Sequence, residues 1–175
     1  MGKISFILGG ARSGKSTHAI NLAQKHKKVV FMATCQAKDC EMAKRIKLHK
    51  DSRPCHWETI EEPCDIDKAL VKIGSKFDLV ILDCLTLWVS NLMMKNVSSA
   101  AILKKTKSFL ECIKKIKSKV IIVSNEVGLG IVPDNKLARD FRDIAGKVNQ
   151  IVAASSDKVF FMVSGLPMRL YKNEK

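Results

Sequence analysis

Residues 9–16 read Gly-Gly-Ala-Arg-Ser-Gly-Lys-Ser, a match to GxxxxGK[ST], directly after the apolar run Ile4-Ser5-Phe6-Ile7-Leu8 and directly before a helix-like stretch. A glycine-rich turn between a strand and a helix can aim successive backbone N–H groups inward, and the helix N-terminus adds a field favourable to an anion. The pattern predicts a phosphate loop that holds a nucleoside triphosphate. Lys15 reaches the β- and γ-phosphates in such a loop, and Ser16 offers its hydroxyl to Mg²⁺. Gly9 and Gly14 fall where a Cβ would hinder the tight turn or the approach of the phosphates.

The rest of the chain repeats the alternation that this loop begins. Short, nearly continuous apolar runs place strands at 3–8, 29–33, 79–82, 120–124 and 158–163, as buried parallel strands read. Helical spacing fills the intervals at 15–26, 39–50, 65–73, 86–94, 100–117 and 135–155. Residues 166–170 suggest an antiparallel edge strand, with Pro167 blurring its boundary. The expected fold is α/β and P-loop NTPase-like, a mostly parallel sheet with helices on both faces. Ligands then collect at the carboxyl ends of the strands.

The chain has 175 residues, 46% hydrophobic, with prolines scattered at 54, 63, 133 and 167 and no linker or repeat. One nucleotide-binding domain over residues 1–175 is expected. The N-terminus runs straight into a strand and loop, unlike a signal peptide, and the longest uncharged run, 84–94, is too short for a transmembrane segment. These features point to a soluble cytoplasmic protein. Six cysteines without a CxxC pair favour reduced thiols over disulfides, and the spacing of Cys35, Cys40, Cys55, His56 and Cys64 is not that of a zinc ribbon or finger.

A net charge of +14 invites a nucleic-acid reading. However, much of the lysine excess (Lys104, Lys105, Lys107, Lys114, Lys115, Lys117 and Lys119) shares one segment with Ile102, Phe109, Leu110 and Ile113 at helical spacing. That distribution describes a solvated helix face. No RNA-recognition motif accompanies it, so nucleic acid is not an expected partner.

Two further strand ends carry polar residues. The run Leu79-Val80-Ile81-Leu82 ends at Asp83, either an N-cap for the next helix or, beside a phosphate loop, a Walker B carboxylate for Mg²⁺. The run 120–123 ends in Ser124-Asn125-Glu126, followed by Val127-Gly128-Leu129-Gly130. These residues face either the substrate or a neighbouring subunit.

A third cluster, His49-Lys50-Asp51-Ser52-Arg53, closes a charged amphipathic helix before Pro54. A histidine there could be a surface residue or a cap. A neutral imidazole is also a competent nucleophile toward phosphorus, and Lys50 and Arg53 would favour its neutral form while stabilising phosphate oxygens. His18 and His26 lack such neighbours, and His56 is expected to pack beside Trp57.

Taken with this cluster, the chain resembles the bifunctional adenosylcobinamide kinase/adenosylcobinamide-phosphate guanylyltransferases of cobalamin biosynthesis over nearly its whole length. The resemblance rests on the 9–16 loop, Ala33-Thr34, Glu41-Met42 with Arg45-Ile46, His49-Lys50-Asp51 with Arg53-Pro54, and Trp57 through Glu61. It continues through Asp83-Cys84, Asn91-Leu92, Asn125-Glu126-Val127-Gly128 with Gly130-Ile131-Val132-Pro133, Arg139, Phe141-Arg142-Asp143, Gly146, Asn149-Gln150 and Ser164-Gly165.

The resemblance implies phosphorylation of adenosylcobinamide by ATP or GTP, then transfer of GMP from GTP to adenosylcobinamide phosphate with release of pyrophosphate. It implies a guanylylated histidine at His49. It implies a nucleotide site at Gly9, Gly10, Ala11, Arg12, Ser13, Gly14, Lys15, Ser16, Ala33, Thr34, Cys35, Lys50, Asp51, Ser52, Arg53, Glu61 and Asp83, with Ser16 and Asp83 at Mg²⁺. It also implies a homotrimer. The chain departs from the family at Leu48, where some members carry a second histidine, and at Cys35, where serine is frequent. A plain small-molecule P-loop kinase without a covalent intermediate is the alternative reading of the residues.

Overall fold

The computed structural model describes residues 2–37, 40–51, 53–73 and 75–171, apart from the side chains of Glu41, Met42 and Arg45. In chain order the elements are β1 (Ile4–Gly9), α1 (Lys15–Ala23), β2 (Val29–Ala33), α2 (Cys40–Asp51), β3 (Glu58–Glu61), α3 (Ile66–Ile73) and β4 (Leu79–Asp83). Then follow α4 (Leu85–Met94), α5 (Ser99–Lys115), β5 (Lys119–Asn125), α6 (Lys136–Ser155), β6 (Lys158–Val163) and β7 (Leu166–Leu170).

The strands form one seven-stranded sheet in the order β3-β2-β4-β5-β1-β6-β7. Every neighbouring pair is parallel except β6 with β7. Successive residues of a strand point to opposite faces, and here both faces are covered, which is why the runs are apolar without alternation. Phe6, Met32, Leu82 and Ile122 enter one core with Ile66, Trp88, Phe109 and Val148 from α3, α4, α5 and α6. Ile7, Phe31, Ile81 and Val123 enter the other, with Ala19 and Ala23 of α1 and with Trp57. Each fully buried large side chain contributes roughly 1.5–3 kcal/mol from its removal from water.

Helix starts follow local chemistry. Ser98 accepts from the Ala101 N–H at 3.3 Å and Asn135 from the Ala138 N–H at 2.8 Å, so α5 and α6 begin with side-chain oxygens on otherwise orphaned donors. Along α5 the apolar stripe is buried while Lys104, Lys107, Lys114 and Lys115 are exposed and Lys105 pairs with Asp65 at 3.3 Å. The lysine excess of this helix therefore lies on a solvated face.

Two points differ from the sequence reading. Residues 58–61 form β3, a strand that the apolar-run criterion passes over because Glu58 and Glu61 are exposed and only Thr59 and Ile60 are half-buried. A polar edge strand resists pairing with other chains, and for the same reason it leaves little hydrophobic signal. Helix α1 also ends at Ala23 rather than residue 26. The 166–170 segment is β7, antiparallel to β6, joined by a two-residue turn with φ of 50° at Ser164 and 84° at Gly165. Positive φ at both central positions suits the right-handed twist of a hairpin.

Candidate active site

Strand β1 stops at Gly9 and α1 starts at Lys15, so the five residues between must reverse the backbone over the carboxyl edge of the sheet. Arg12 (φ 56°) and Gly14 (φ 89°) adopt left-handed conformations to do so. At Gly9 (φ 155°) a Cβ would lie 2.7 Å from both the Met162 carbonyl oxygen and Ser13 Oγ, so no side chain fits. The loop is braced from outside: the Gly165 N–H of the β6–β7 turn donates to the Ser13 carbonyl at 3.1 Å, and the Glu126 N–H donates to the Gly9 carbonyl at 3.0 Å. Within the loop, Lys15 is buried and its ammonium donates to the Gly10 carbonyl and to Ser13 Oγ.

Ser16, in the first turn of α1, donates to Asp83 Oδ2 at 2.7 Å. Asp83 is not the N-cap of the next helix, one of its two readings from sequence. The N-cap of α4 is Cys84, whose sulfur accepts from the Leu87 N–H at 3.5 Å, leaving the Asp83 carboxylate turned toward the loop. Burial, with the neighbouring Asp83 charge, pushes the Cys84 thiol up to about 12, which keeps it a neutral cap.

Loop and carboxylate form one wall of a cavity of about 530 Å³, a size typical of small-molecule sites. Phe31 and Ala33 of β2, Cys35 just beyond it, Glu61 at the end of β3, and Ile46 and His49 of α2 also line it, with Arg53 beyond α2. Arg53 stacks its guanidinium on Phe31, with Cζ 3.3 Å from the ring centroid, and donates to Thr59 Oγ1 at 3.4 Å. Burial lowers its pKa while Asp83 and Glu61 oppose that shift, and a guanidinium remains cationic under such conditions. Its buried Nε has no hydrogen-bond partner among the described residues. The site thus holds a half-buried cation near two carboxylates.

Of the residues singled out from sequence, Ala11, Arg12, Ser13, Gly14, Lys15, Ser16, Ala33, Cys35, His49, Arg53, Glu61 and Asp83 line this cavity. Gly9 and Gly10 set the loop's path beside it. Thr34 is fully buried and turned away: its hydroxyl donates to the Cys84 carbonyl at 2.7 Å and accepts from the Cys84 N–H at 2.9 Å, tying β2 to the start of α4. Its side chain is therefore a brace rather than a ligand contact. Lys50 and Asp51 are exposed and outside the lining, and Ser52 lies outside the described residues. His56 is exposed while Trp57 is buried in the core, so the expected packing of one on the other is not what places the indole. Sequence reasoning did not single out Phe31, Ile46, Leu87 or Cys84 as cavity residues; each reads as ordinary core, and no local signal separates them from it.

A parallel sheet whose first strand runs into a phosphate loop, with a serine hydroxyl on an acidic strand end beside it, defines a P-loop nucleotide-binding protein. The fold agrees with a solved structure of the RadB recombinase, with a TM-score of 0.56, 12% identity, and coverage of 91% of this chain and 73% of that one. The chain belongs to the cobinamide kinase/cobinamide phosphate guanyltransferase family, whose model matches residues 5–170. It is 40% identical to the bifunctional adenosylcobalamin biosynthesis protein CobU of Salmonella typhimurium and 39% identical to that of Escherichia coli, in each case over 94% of this chain and 97% of the relative. The corresponding protein CobP of Pseudomonas aeruginosa is 42% identical, over 94% of this chain and 95% of its own length.

Proposed function

We propose that this chain performs two successive reactions at one nucleotide site: phosphorylation of adenosylcobinamide by ATP or GTP, then transfer of GMP from GTP to adenosylcobinamide phosphate through a guanylyl group on His49. The observation that carries this reading is that His49 lines the same cavity as Lys15, Ser16 and Asp83. A phosphate loop alone suits γ-phosphoryl transfer. A nucleophile across the cavity from it suits attack on a different phosphorus atom of the same bound triphosphate.

In the guanylyl step an imidazole nitrogen of His49 attacks the α-phosphorus, the new P–N bond forms, and the α–β bridging bond breaks to release pyrophosphate. The phosphate oxygen of the second substrate then attacks the same phosphorus, the P–N bond breaks, and His49 is regenerated. Loop N–H groups and Lys15 hold the departing pyrophosphate, while Arg53, pinned on Phe31, brings its positive charge to phosphate oxygens. In the kinase step the same loop holds the γ-phosphate for in-line approach of the corrinoid hydroxyl, so positioning and charge stabilisation carry the rate.

The hydroxyl and carboxylate oxygens of Ser16 and Asp83, 2.7 Å apart, are hard donors suited to Mg²⁺. When bound there, the ion neutralises phosphate charge. By family resemblance the working form is a cytoplasmic homotrimer. Two observations are consistent with it: no described helix is long and apolar enough to cross a membrane, and Leu129, Ile131 and Val132 are exposed on the loop after β5.

Incubation with α-labelled GTP and Mg²⁺ tests the covalent step. The expected product is an acid-labile, alkali-stable labelled protein, with no label on His49→Ala. Unlabelled protein that still transfers γ-phosphate would leave a plain kinase instead.

A further inference from the structure

Beneath the carboxyl end of β5 lies a closed chain of polar side chains: Thr86 of α4 (5% exposed), Ser124 of β5 (1%) and Asn149 of α6 (5%). The hydrogen bonds fix their own direction. Ser124 donates to Asn149 Oδ1 at 2.8 Å, so Thr86 must donate to Ser124 across their 2.9 Å contact. Thr86 Oγ1 then accepts the Asn125 N–H at 2.6 Å, and Asn149 Nδ2 donates to the Asn125 carbonyl at 3.2 Å. Buried polar groups cost desolvation that an apolar trio would avoid, and a fully satisfied network returns that cost as a fixed geometry. What this network fixes is the backbone of one residue, Asn125.

The Asn125 side chain is used differently. It lines the nucleotide cavity, and its amide makes no hydrogen bond to another described residue, whereas both backbone groups are held. Strand β5 lies between β1 and β4. In register Asn125 is opposite Gly9, where the phosphate loop begins, while Asp83 pairs two residues earlier, with Val123. The amide therefore stands between the loop and the Asp83 carboxylate, on the flank of the cavity away from β2, β3 and their neighbours Phe31, Glu61 and Arg53.

We propose that Asn125 is a catalytic residue of the phosphoryl-transfer reaction, its Nδ2–H donating to a γ-phosphoryl oxygen, and that Asn149 is the positioning residue behind it. The inference rests on the two-reaction reading above. In the reaction the acceptor hydroxyl oxygen bonds to the γ-phosphorus, the bond to the β-phosphate oxygen breaks, the nucleoside diphosphate leaves and the hydroxyl proton passes to water. Asn125 keeps the group in line throughout. The two chemistries then have separate attendants on opposite flanks of one triphosphate: His49 for the α-phosphorus and Asn125 for the γ-phosphorus.

The test uses the full chain with adenosylcobinamide, γ-labelled ATP for phosphoryl transfer and α-labelled GTP for His49. For Asn125→Ala, phosphoryl-transfer kcat should fall about 100-fold while KM for ATP moves by less than about threefold, as expected when one transition-state donor is removed. The loss should exceed that of His49 labelling by at least about tenfold. Asn125→Asp, which keeps size but replaces the donor with an acceptor, should lose at least as much. Asn149→Asp keeps the acceptor for Ser124 and removes the donor to the Asn125 carbonyl; kcat should drop about tenfold with KM for ATP unchanged. An Asn125→Ala variant that keeps phosphoryl transfer, or that loses both reactions equally, would overturn the assignment. Wild-type protein that phosphorylates adenosylcobinamide but never labels His49 would overturn the guanylyl-histidine reading and leave this one standing.

Discussion

The Ser16 hydroxyl donates to Asp83 Oδ2 at 2.7 Å, joining the first turn of α1 to the end of β4 across the intervening strand β5. Both oxygens are oriented before any ligand arrives. Asp83→Asn and Ser16→Ala should each reduce phosphoryl transfer and His49 labelling by about 100-fold or more, since both reactions use the same anchored triphosphate. Initial rates at saturating nucleotide, with circular dichroism as a fold control, check this. Loss of one reaction alone would separate the sites.

Arg53 is stacked as well as charged, so a lysine in its place is not a conservative change. Arg53→Lys should lower kcat/KM for GTP by about tenfold and Arg53→Met further, through loss of the planar donor on Phe31 and of the charge respectively. If lysine restores full activity, the stacking is incidental.

Burial lowers the His18 pKa below its ordinary 6.5. The native state then binds fewer protons than the unfolded chain, and the related stability is fully present above about pH 6.5 and lost as pH falls through the lowered folded value. His26 is shifted in the same direction, by burial first and then by Lys119. Thermal midpoints between pH 7.5 and 5 should fall in the wild type and fall less in His18→Gln. Equal slopes would show that His18 does not contribute.

The cysteines should sort by environment. Cys40 and Cys55 are exposed, Cys64 and Cys84 are buried, and the Cys84 thiol is pushed up to about 12. Maleimide at neutral pH should label Cys40 and Cys55 first and spare Cys84. Cys35, half-buried in the cavity wall, should label more slowly with GTP present. Peptide mapping reads each site, and labelling of Cys35 that ignores nucleotide would remove it from the binding face.

How much of this was legible beforehand depended on whether the signal was local. The phosphate loop and the five apolar strands are local patterns, and both were readable. Strand β3 was not, because an edge strand bearing two exposed glutamates carries no apolar run. The inward turn of Thr34 depends on Cys84, fifty residues away, and the stacking of Arg53 depends on Phe31 across a helix. The hold on Asn125 depends on α4 and α6 together. Composition at any one of these positions says polar or apolar; only the pairing of β2, β4 and β5 says which way each side chain points.

The brace from Gly165 to Ser13 has a consequence for the order in which the protein is made. Strand β1 is made long before its neighbours in the sheet, β5 and β6, with Ser5 paired to Ile121 on one side and Lys158 on the other. Contacts so distant in sequence close slowly and late. A growing chain carries the complete loop sequence once residue 16 is made, but the two groups that brace the loop, the Glu126 N–H on Gly9 and the Gly165 N–H on Ser13, come only much later in the sequence. A loop without these two braces should hold a nucleotide weakly, so affinity is expected to rise only once β5 and the β6–β7 turn are in place.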